Sequence, residues 1–391
     1  MTLKGPENYY KRLEAYKGKD WEYPIHIVSC TSDLNTAFQD VVLGRNSIII
    51  FCDESIQETI ACKDIISSIR SLLPEDSRLI IKLIESGKHS KNLASVEDLV
   101  EWLLEEKIQR DSLFVSMGGG VVGDLTGFIS SIYFRGVDLM HIPTNLLSMC
   151  DSAVGGKTAV NTRRHINTVG TYKHPCNTVI YSGFLKTLSS REYAAGLAEV
   201  IKISLLESDG ELLTALKNIE GGLEGLRKGD KEIASLIKMA VTLKLKFTND
   251  DIMEQSERLF LNLGHTFGHA VESLQDLTTE EYYRHGEAVS LGIVCALMFS
   301  KEVYGIDWAE DIVDLLQAYN LPIRLSEDYK KTVGIRDDVE LLDKLVKASS
   351  SDKKGKAGML RIVAIDETGC PNLVETSDEE AIKRAFFNIL N

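Results

Sequence analysis

The sequence predicts an α/β protein in two parts: an N-terminal doubly wound, Rossmann-like domain, then a mainly α-helical C-terminal domain. Three observations carry this. Short continuous apolar runs such as Ser47–Cys52, which stops at Asp53, recur through the first half and read as buried parallel strands. A glycine-rich turn, Gly118 to Asp124, follows directly on one of these runs and precedes a plausible helix. From about residue 190 the strand-like runs give way to helical periodicity. A chain of 391 residues makes two domains the default.

Taken in order, residues 1–22 form a polar lead-in, 23–188 the α/β domain and 189–391 the helical domain. A β-rich run ends near Val28. The runs Ser47–Cys52, Leu79–Ile84, Leu113–Met117 and Val137–Ile142 follow as strands, with an amphipathic helix over about 96–107 between the second and third of these. In the second half, helical periodicity covers 191–218, 230–248, 258–275, 285–304, 309–319 and 339–349, and only Met359–Ala364 looks extended. There is no internal repeat.

Composition excludes several classes. A net charge of −14 argues against a nucleic-acid or acidic-membrane surface, yet leaves room for a local basic cluster facing an anionic ligand. Seven scattered cysteines, never in CxxC spacing, suit a reduced, cytoplasmic chain. The N-terminal stretch lacks the apolar region of a signal peptide, and no run is long enough to span a bilayer.

Gly118, Gly120 and Gly123 satisfy GxGxxG. Glycine there lets the backbone approach a pyrophosphate at a helix N-terminus. Asp53, at the end of an earlier strand, suits a ribose hydroxyl or a helix N-cap. Gly155-Gly156-Lys157-Thr158 mimics the end of a P-loop, but Asp151 stands where the first glycine would be, so a nucleoside triphosphatase is rejected. Lys157 beside glycines still suits a phosphate.

Read as one helix, Arg258, Asn262, His265 and His269 advance by 4, 3 and 4 residues, which puts a cation, an amide and two imidazoles on one stripe. Lys244 and Asp251 extend it backwards by steps of 7 if the segment stays helical, and Glu254 lies four before Arg258. Glu199 and Lys202 are three apart on another helix, and His285 opens a third. A catalytic zinc needs three protein ligands and one open position. Two sets remain open: His265 and His269 with a remote histidine, or Glu199, His265 and His285 with His269 left to accept a proton.

The ordered motifs GGGVVGD, DSAVGGKT, GLAEVIK, RLFLNLGHTFGHAVE, HGEAV and DKK, spread over about residues 113–360, resemble the 3-dehydroquinate synthase family of sugar phosphate cyclases. The resemblance implies an NAD- and divalent-metal-dependent lyase, using Zn2+ or Co2+. It would cyclise 3-deoxy-arabino-heptulosonate 7-phosphate to 3-dehydroquinate in the shikimate pathway by transient oxidation, phosphate elimination, reduction, ring opening and aldol closure. By motif position it implies Glu199, His265 and His285 as metal ligands and Glu254 and His269 as proton acceptors. The implied substrate contacts are Lys202, Lys244, Arg258, Asn262, Asp151, Lys157, Asn167 and a lysine of the pair Lys353 and Lys354. It further implies that Gly118, Gly119, Gly120, Asp124, Thr144 and Lys91 meet NAD, and that Arg135 reaches the neighbouring subunit's substrate in a homodimer.

Several cofactor-side positions depart from the family pattern. Lys88 stands where the family usually has Glu, Ile166 where it has Lys, and Tyr181-Ser182 where it has Asp-Thr. Asn145 replaces a Thr, and about three residues are inserted before His285. These departures suit a divergent branch. The alternative is a natural-product cyclase of the amino-dehydroquinate, 2-epi-5-epi-valiolone or 2-deoxy-scyllo-inosose synthase type. Arg258 and Asn262 favour a substrate bearing a carboxylate.

Overall fold

The structure is a computed structural model that describes residues 9–390 except 20, 164, 208–209, 276–280 and 352–358. Lys353 and Lys354 therefore lie outside the described residues, as does part of the insertion before His285. The chain divides into two compact units: Met1–Ser189 with Gly229–Leu245, and Ser190–Lys228 with Lys246–Asn391.

The first unit is built on a seven-stranded sheet. Its strands are β1 (Tyr10–Ala15), β2 (Tyr23–Val28), β3 (Ser47–Asp53), β4 (Arg78–Ile84), β5 (Leu113–Gly118), β6 (Asp138–Pro143) and β9 (Asn177–Tyr181). β7 (Lys157–Val160) and β8 (Val169–Tyr172) form a separate antiparallel hairpin. The sheet order is β1-β2-β9-β6-β5-β3-β4, parallel except for β1. β3 and β5 are buried along nearly their whole length, which is why they read as unbroken apolar runs. Phe51 and Phe114 meet edge to face at 5.4 Å in the core beside β3 and β5.

From β3 the chain steps outward to β4; from β5 it steps the other way to β6. The switch point thus lies between β3 and β5, where an open parallel sheet leaves a crevice at its carboxyl edge. Register pairs Cys52 with Met117 and Gly118 with Pro143, so Asp53, Gly118 and Thr144 leave three adjacent strands at that same edge.

Four strands of the first unit escape the sequence reading, as does β11 (Pro371–Thr376) of the second. β1 lies inside the stretch read as a polar lead-in: it is an edge strand whose outward residues are charged. β7, β8 and β9 are only four or five residues long and give too little periodicity to register.

The second unit is mainly helical. Its longest helix, His285–Tyr304, is apolar nearly all round and buried. Helices Ser190–Ser204, His265–Ser273 and Asp338–Ser351 and a small antiparallel pair, β10 (Leu360–Ile365) with β11 (Pro371–Thr376), belong to the same unit. The expected helix over 191–218 is two helices, Ser190–Ser204 and Glu211–Lys217.

The expected continuous helix over 258–275 is corrected. Glu257–Asn262 is a 3-10 turn, Leu263 is extended, and a helix begins afresh at His265. Gly264 causes the break. Its φ of 76° is left-handed, and an added Cβ would lie 2.9 Å from the Ile293 nitrogen. Arg258 and Asn262 are therefore not on a helical stripe with the two histidines. The backward extension also fails, because the preceding helix ends at Thr248 and Asp251 sits in a loop.

Candidate active site

Three helices of the second unit converge on one pocket. Glu199 comes from the middle of Ser190–Ser204, His265 from the first position of its helix, and His285 from the first position of the longest helix. Glycines make the approach possible. A Cβ on Gly286 would lie 1.8 Å from the Ala195 carbonyl oxygen, and one on Gly292 would lie 2.0 Å from that of Gly264. The three backbones touch where side chains would otherwise separate them.

The Glu199 carboxylate is 3 % exposed, and no backbone N–H or hydroxyl among the described residues hydrogen-bonds to it. Its Oε1 lies 3.6 Å from His265 Nε2 and 3.4 Å from His285 Nε2. The other ring nitrogens are engaged: His265 Nδ1 lies 3.3 Å from the Leu263 carbonyl oxygen, and His285 Nδ1 lies 3.0 Å from Glu272 Oε2. With Nδ1 of each ring turned to an acceptor, both Nε2 atoms face Glu199. Candidate ligand atoms of the three residues all lie within 4.8 Å of one another. Two imidazole nitrogens from half-buried histidines, converging on a buried carboxylate oxygen, fit a divalent cation such as zinc.

The charge balance agrees. Burial pushes the Glu199 carboxyl up, but the Lys202 ammonium in contact with its Oε2 and the two imidazoles hold it well below the usual carboxylate range. Burial and the charge of Lys202 drive His265 well below the ordinary histidine value, so it is neutral. His285 is pulled down by burial but raised to about 10 by Glu272 and Glu199. A proton thus sits where two carboxylates leave excess negative charge, which is where a cation would sit.

His269 stands one turn beyond His265, its ring perpendicular to that of His265 at 5.1 Å. Glu254, Arg258 and Asn262 lie in the loop and 3-10 turn before this helix. Asn262 Nδ2 donates to Glu254 Oε1 at 3.0 Å, and Glu254 has a left-handed φ of 56°. Arg258 is 2 % exposed and donates from Nη1 to the Ile252 carbonyl at 2.8 Å. Asp251 staples the loop by accepting the N–H groups of Gln255, Ser256 and Arg258 at 2.7, 2.7 and 3.1 Å.

In the first unit, Gly119 caps the helix Gly120–Ile132 at the carboxyl edge of β5, and Thr144 N–H donates to the Gly118 carbonyl at 3.1 Å. The open N–H groups of that helix, beside the switch point, fit a dinucleotide pyrophosphate. Asp53 caps a 3-10 turn, accepting from Ser55 N–H at 3.0 Å and from the hydroxyls of Ser55 and Ser86. Lys91 is buried, pairs with Asp124 and donates to Asn167 Oδ1 at 2.6 Å. Asn167, read as a substrate contact, thus joins two cofactor-side residues. Lys244 donates to the carbonyl and Oδ1 of Asp151 at 2.6 and 2.5 Å, and Asp151 lies in a π-helical turn, Ser148–Ser152. Lys157 and Arg135 are exposed, Arg135 with a φ of 63°.

Of the departures from the family pattern, Tyr181 is buried and its hydroxyl donates to Asp64 at 3.1 Å, and Asn145 Oδ1 accepts from Ser148 N–H at 2.9 Å. Lys88 opens a short 3-10 turn, Lys88–Ser90.

One functional candidate was absent from the sequence reading: Glu272. The signal was available, since Glu272 lies seven residues, two helical turns, after His265. The stripe of polar side chains is real, but it runs His265, His269, Glu272.

Residues 81–195 match the family model of the 3-dehydroquinate synthase N-terminal region and residues 196–355 that of its C-terminal region. A 3-dehydroquinate synthase of Shewanella sp. (strain MR-4) is 34% identical over 373 residues, 93% of this chain and 95% of the relative. A bifunctional 3-dehydroquinate synthase/phosphatase of Fusobacterium nucleatum is 32% identical over 90% of this chain, which spans half of that relative's length. Among solved structures, a 2-deoxy-scyllo-inosose synthase complexed with carbaglucose-6-phosphate, NAD+ and Co2+ superposes with a TM-score of 0.78 at 21% identity, covering 98% of this chain and all of that one. That likeness establishes the fold, a two-part architecture with a Rossmann-like sheet and a helical region. The sequence matches establish the family: the chain belongs to the 3-dehydroquinate synthase family.

Proposed function

We propose that the chain is a 3-dehydroquinate synthase, a carbon–oxygen lyase that cyclises 3-deoxy-arabino-heptulosonate 7-phosphate to 3-dehydroquinate with release of phosphate. The observation that carries this reading is the pocket of Glu199, His265 and His285 in the same unit as Lys202, Arg258 and Asn262. The family's curated members at 32–34% identity over at least 90% of this chain support the substrate. Residues 23–188 are the proposed NAD-binding domain and 189–391 the metal- and substrate-binding domain.

The cation would be held by Glu199, His265 and His285, and NAD by Gly118, Gly119, Gly120, Asp124, Thr144, Lys91 and Asp53. Bound NAD supplies reversible hydride acceptance, and the cation supplies Lewis acidity toward a substrate oxygen. The chain's own side chains bind, orient and move protons. Buried Arg258 offers a guanidinium preorganised for a carboxylate. Asn262, tied to Glu254, adds a directed amide. Lys202, Lys244, Lys157, Asp151 and Asn167 complete the proposed substrate contacts. Glu254 and His269 are the proposed proton acceptors. Burial keeps His265 neutral, so its neighbour His269 adjoins an uncharged ring.

A homodimer, in which the exposed Arg135 would serve a second copy's substrate, is part of this proposal. Among the described residues no helix is long and apolar enough to cross a membrane; a cytoplasmic setting is part of this proposal.

The test is phosphate release by the purified protein with Zn2+ or Co2+ and catalytic NAD, offered the heptulosonate phosphate, sedoheptulose 7-phosphate and glucose 6-phosphate in turn. The expected substrate is the first. Release from sedoheptulose 7-phosphate alone would assign the chain to a natural-product cyclase instead.

A further inference from the structure

We infer that Glu272 is a positioning residue of the cation pocket, acting through His285. The inference rests on the reading that the pocket holds a divalent cation. Glu272 is buried on the helix that begins with His265, so one short helix supplies a proposed ligand and the partner of the other proposed histidine ligand. Its Oε2 is 3.0 Å from His285 Nδ1, a hydrogen-bond length. By accepting the Nδ1 proton it leaves Nε2, which faces Glu199 at 3.4 Å, as the nitrogen that would bind a cation. It also adds a second buried negative charge to the pocket. His265 is oriented by a neutral carbonyl, Leu263 at 3.3 Å, so the two histidines are held differently. His285, backed by a carboxylate, is the stronger donor of the two.

Glu272, His269 and His285 also group closely enough to suggest a different ligand set. Ring geometry opposes it. The two nitrogens of an imidazole point away from each other, and the His285 Nε2 is already committed to the side of Glu199. Its Nδ1 cannot serve the same ion, and Glu272 occupies that Nδ1 as a hydrogen-bond acceptor.

Cobalt(II) titration of the metal-free full-length protein tests this, read by calorimetry and by the visible absorption of the bound ion. The variants are E272Q, E272A and H265A, with melting of each metal-free variant as the fold control. Wild type is expected to bind one equivalent. E272A should bind about 10- to 100-fold more weakly with shifted absorption bands. E272Q, which keeps an acceptor but loses the charge, should fall between. Wild-type affinity in both Glu272 variants overturns the inference while leaving the cation pocket standing. Complete loss in E272A with retention in H265A also overturns it, by making Glu272 a direct ligand. If wild type takes up no cobalt, the cation reading itself fails and the inference with it.

Discussion

Two carboxylates, one buried and one half-buried, each in contact with a lysine, behave in opposite ways. Glu199 in the helical unit touches Lys202 and is held well below the usual carboxylate range; Asp124 in the sheet unit touches Lys91 and is raised. Burial penalises both. Glu199 adds two imidazoles to its lysine, whereas Asp124 has Lys91 against it chiefly alone, with Asp151 opposing. A single ion pair does not offset desolvation, but two converging cations, Lys202 and His285, do. The helical pocket is arranged to keep a carboxylate ionised as a ligand. The sheet cluster is arranged to tie Lys91, Asp124 and Asn167 together beside the glycine turn.

The comparison can be broken first at Glu199. Glu199→Gln should lower turnover by about three orders of magnitude and empty the pocket of metal, measured by phosphate release and elemental analysis. Asp124→Asn should instead show mainly in stability and NAD affinity. Removing the charge that faces a buried lysine costs about 1–3 kcal/mol, read by urea denaturation of the metal-free protein. Equal loss of metal in the two variants would erase the distinction.

Protons give a finer test. In the metal-free protein His285 has a pKa of about 10 against an ordinary 6.5. A raised histidine value contributes stability that is fully present below pH 6.5 and is lost as pH rises through about 10. A cation that occupies the pocket near neutral pH must displace that proton. Calorimetry in buffers of different ionisation heat should report about one proton released per metal bound. The smallest effect is expected for Tyr181→Phe, which removes only the hydroxyl donor to Asp64: about 1 kcal/mol of stability, with NAD affinity little changed. A large loss of NAD affinity would instead make this departure from the family pattern a cofactor contact.

Much of this was legible in the sequence because it is carried by local runs. β3 and β5 are buried on both faces and read as uninterrupted apolar segments. His285 opens a helix, as its place in the sequence suggested, whereas the helix start at His265 was hidden inside an apparently continuous periodicity. The stripe Arg258–His269 was not legible as it stands, because i,i+4 spacing persists across a break that Gly264 makes for tertiary reasons, against Ile293. Glu272 was within reach of helical periodicity. The convergence of Lys91, Asp124 and Asn167 was not, since 33 and 76 residues separate the bonded pairs and only the fold joins them.

The central claim is that Glu199, His265 and His285 hold one divalent cation on which turnover depends. Metal content and phosphate release of His265→Ala, measured beside wild type after the same dialysis, test it most directly. Wild type should hold about one equivalent of metal, and the variant should lose most of it together with all turnover. Full activity with normal metal occupancy in His265→Ala would contradict it.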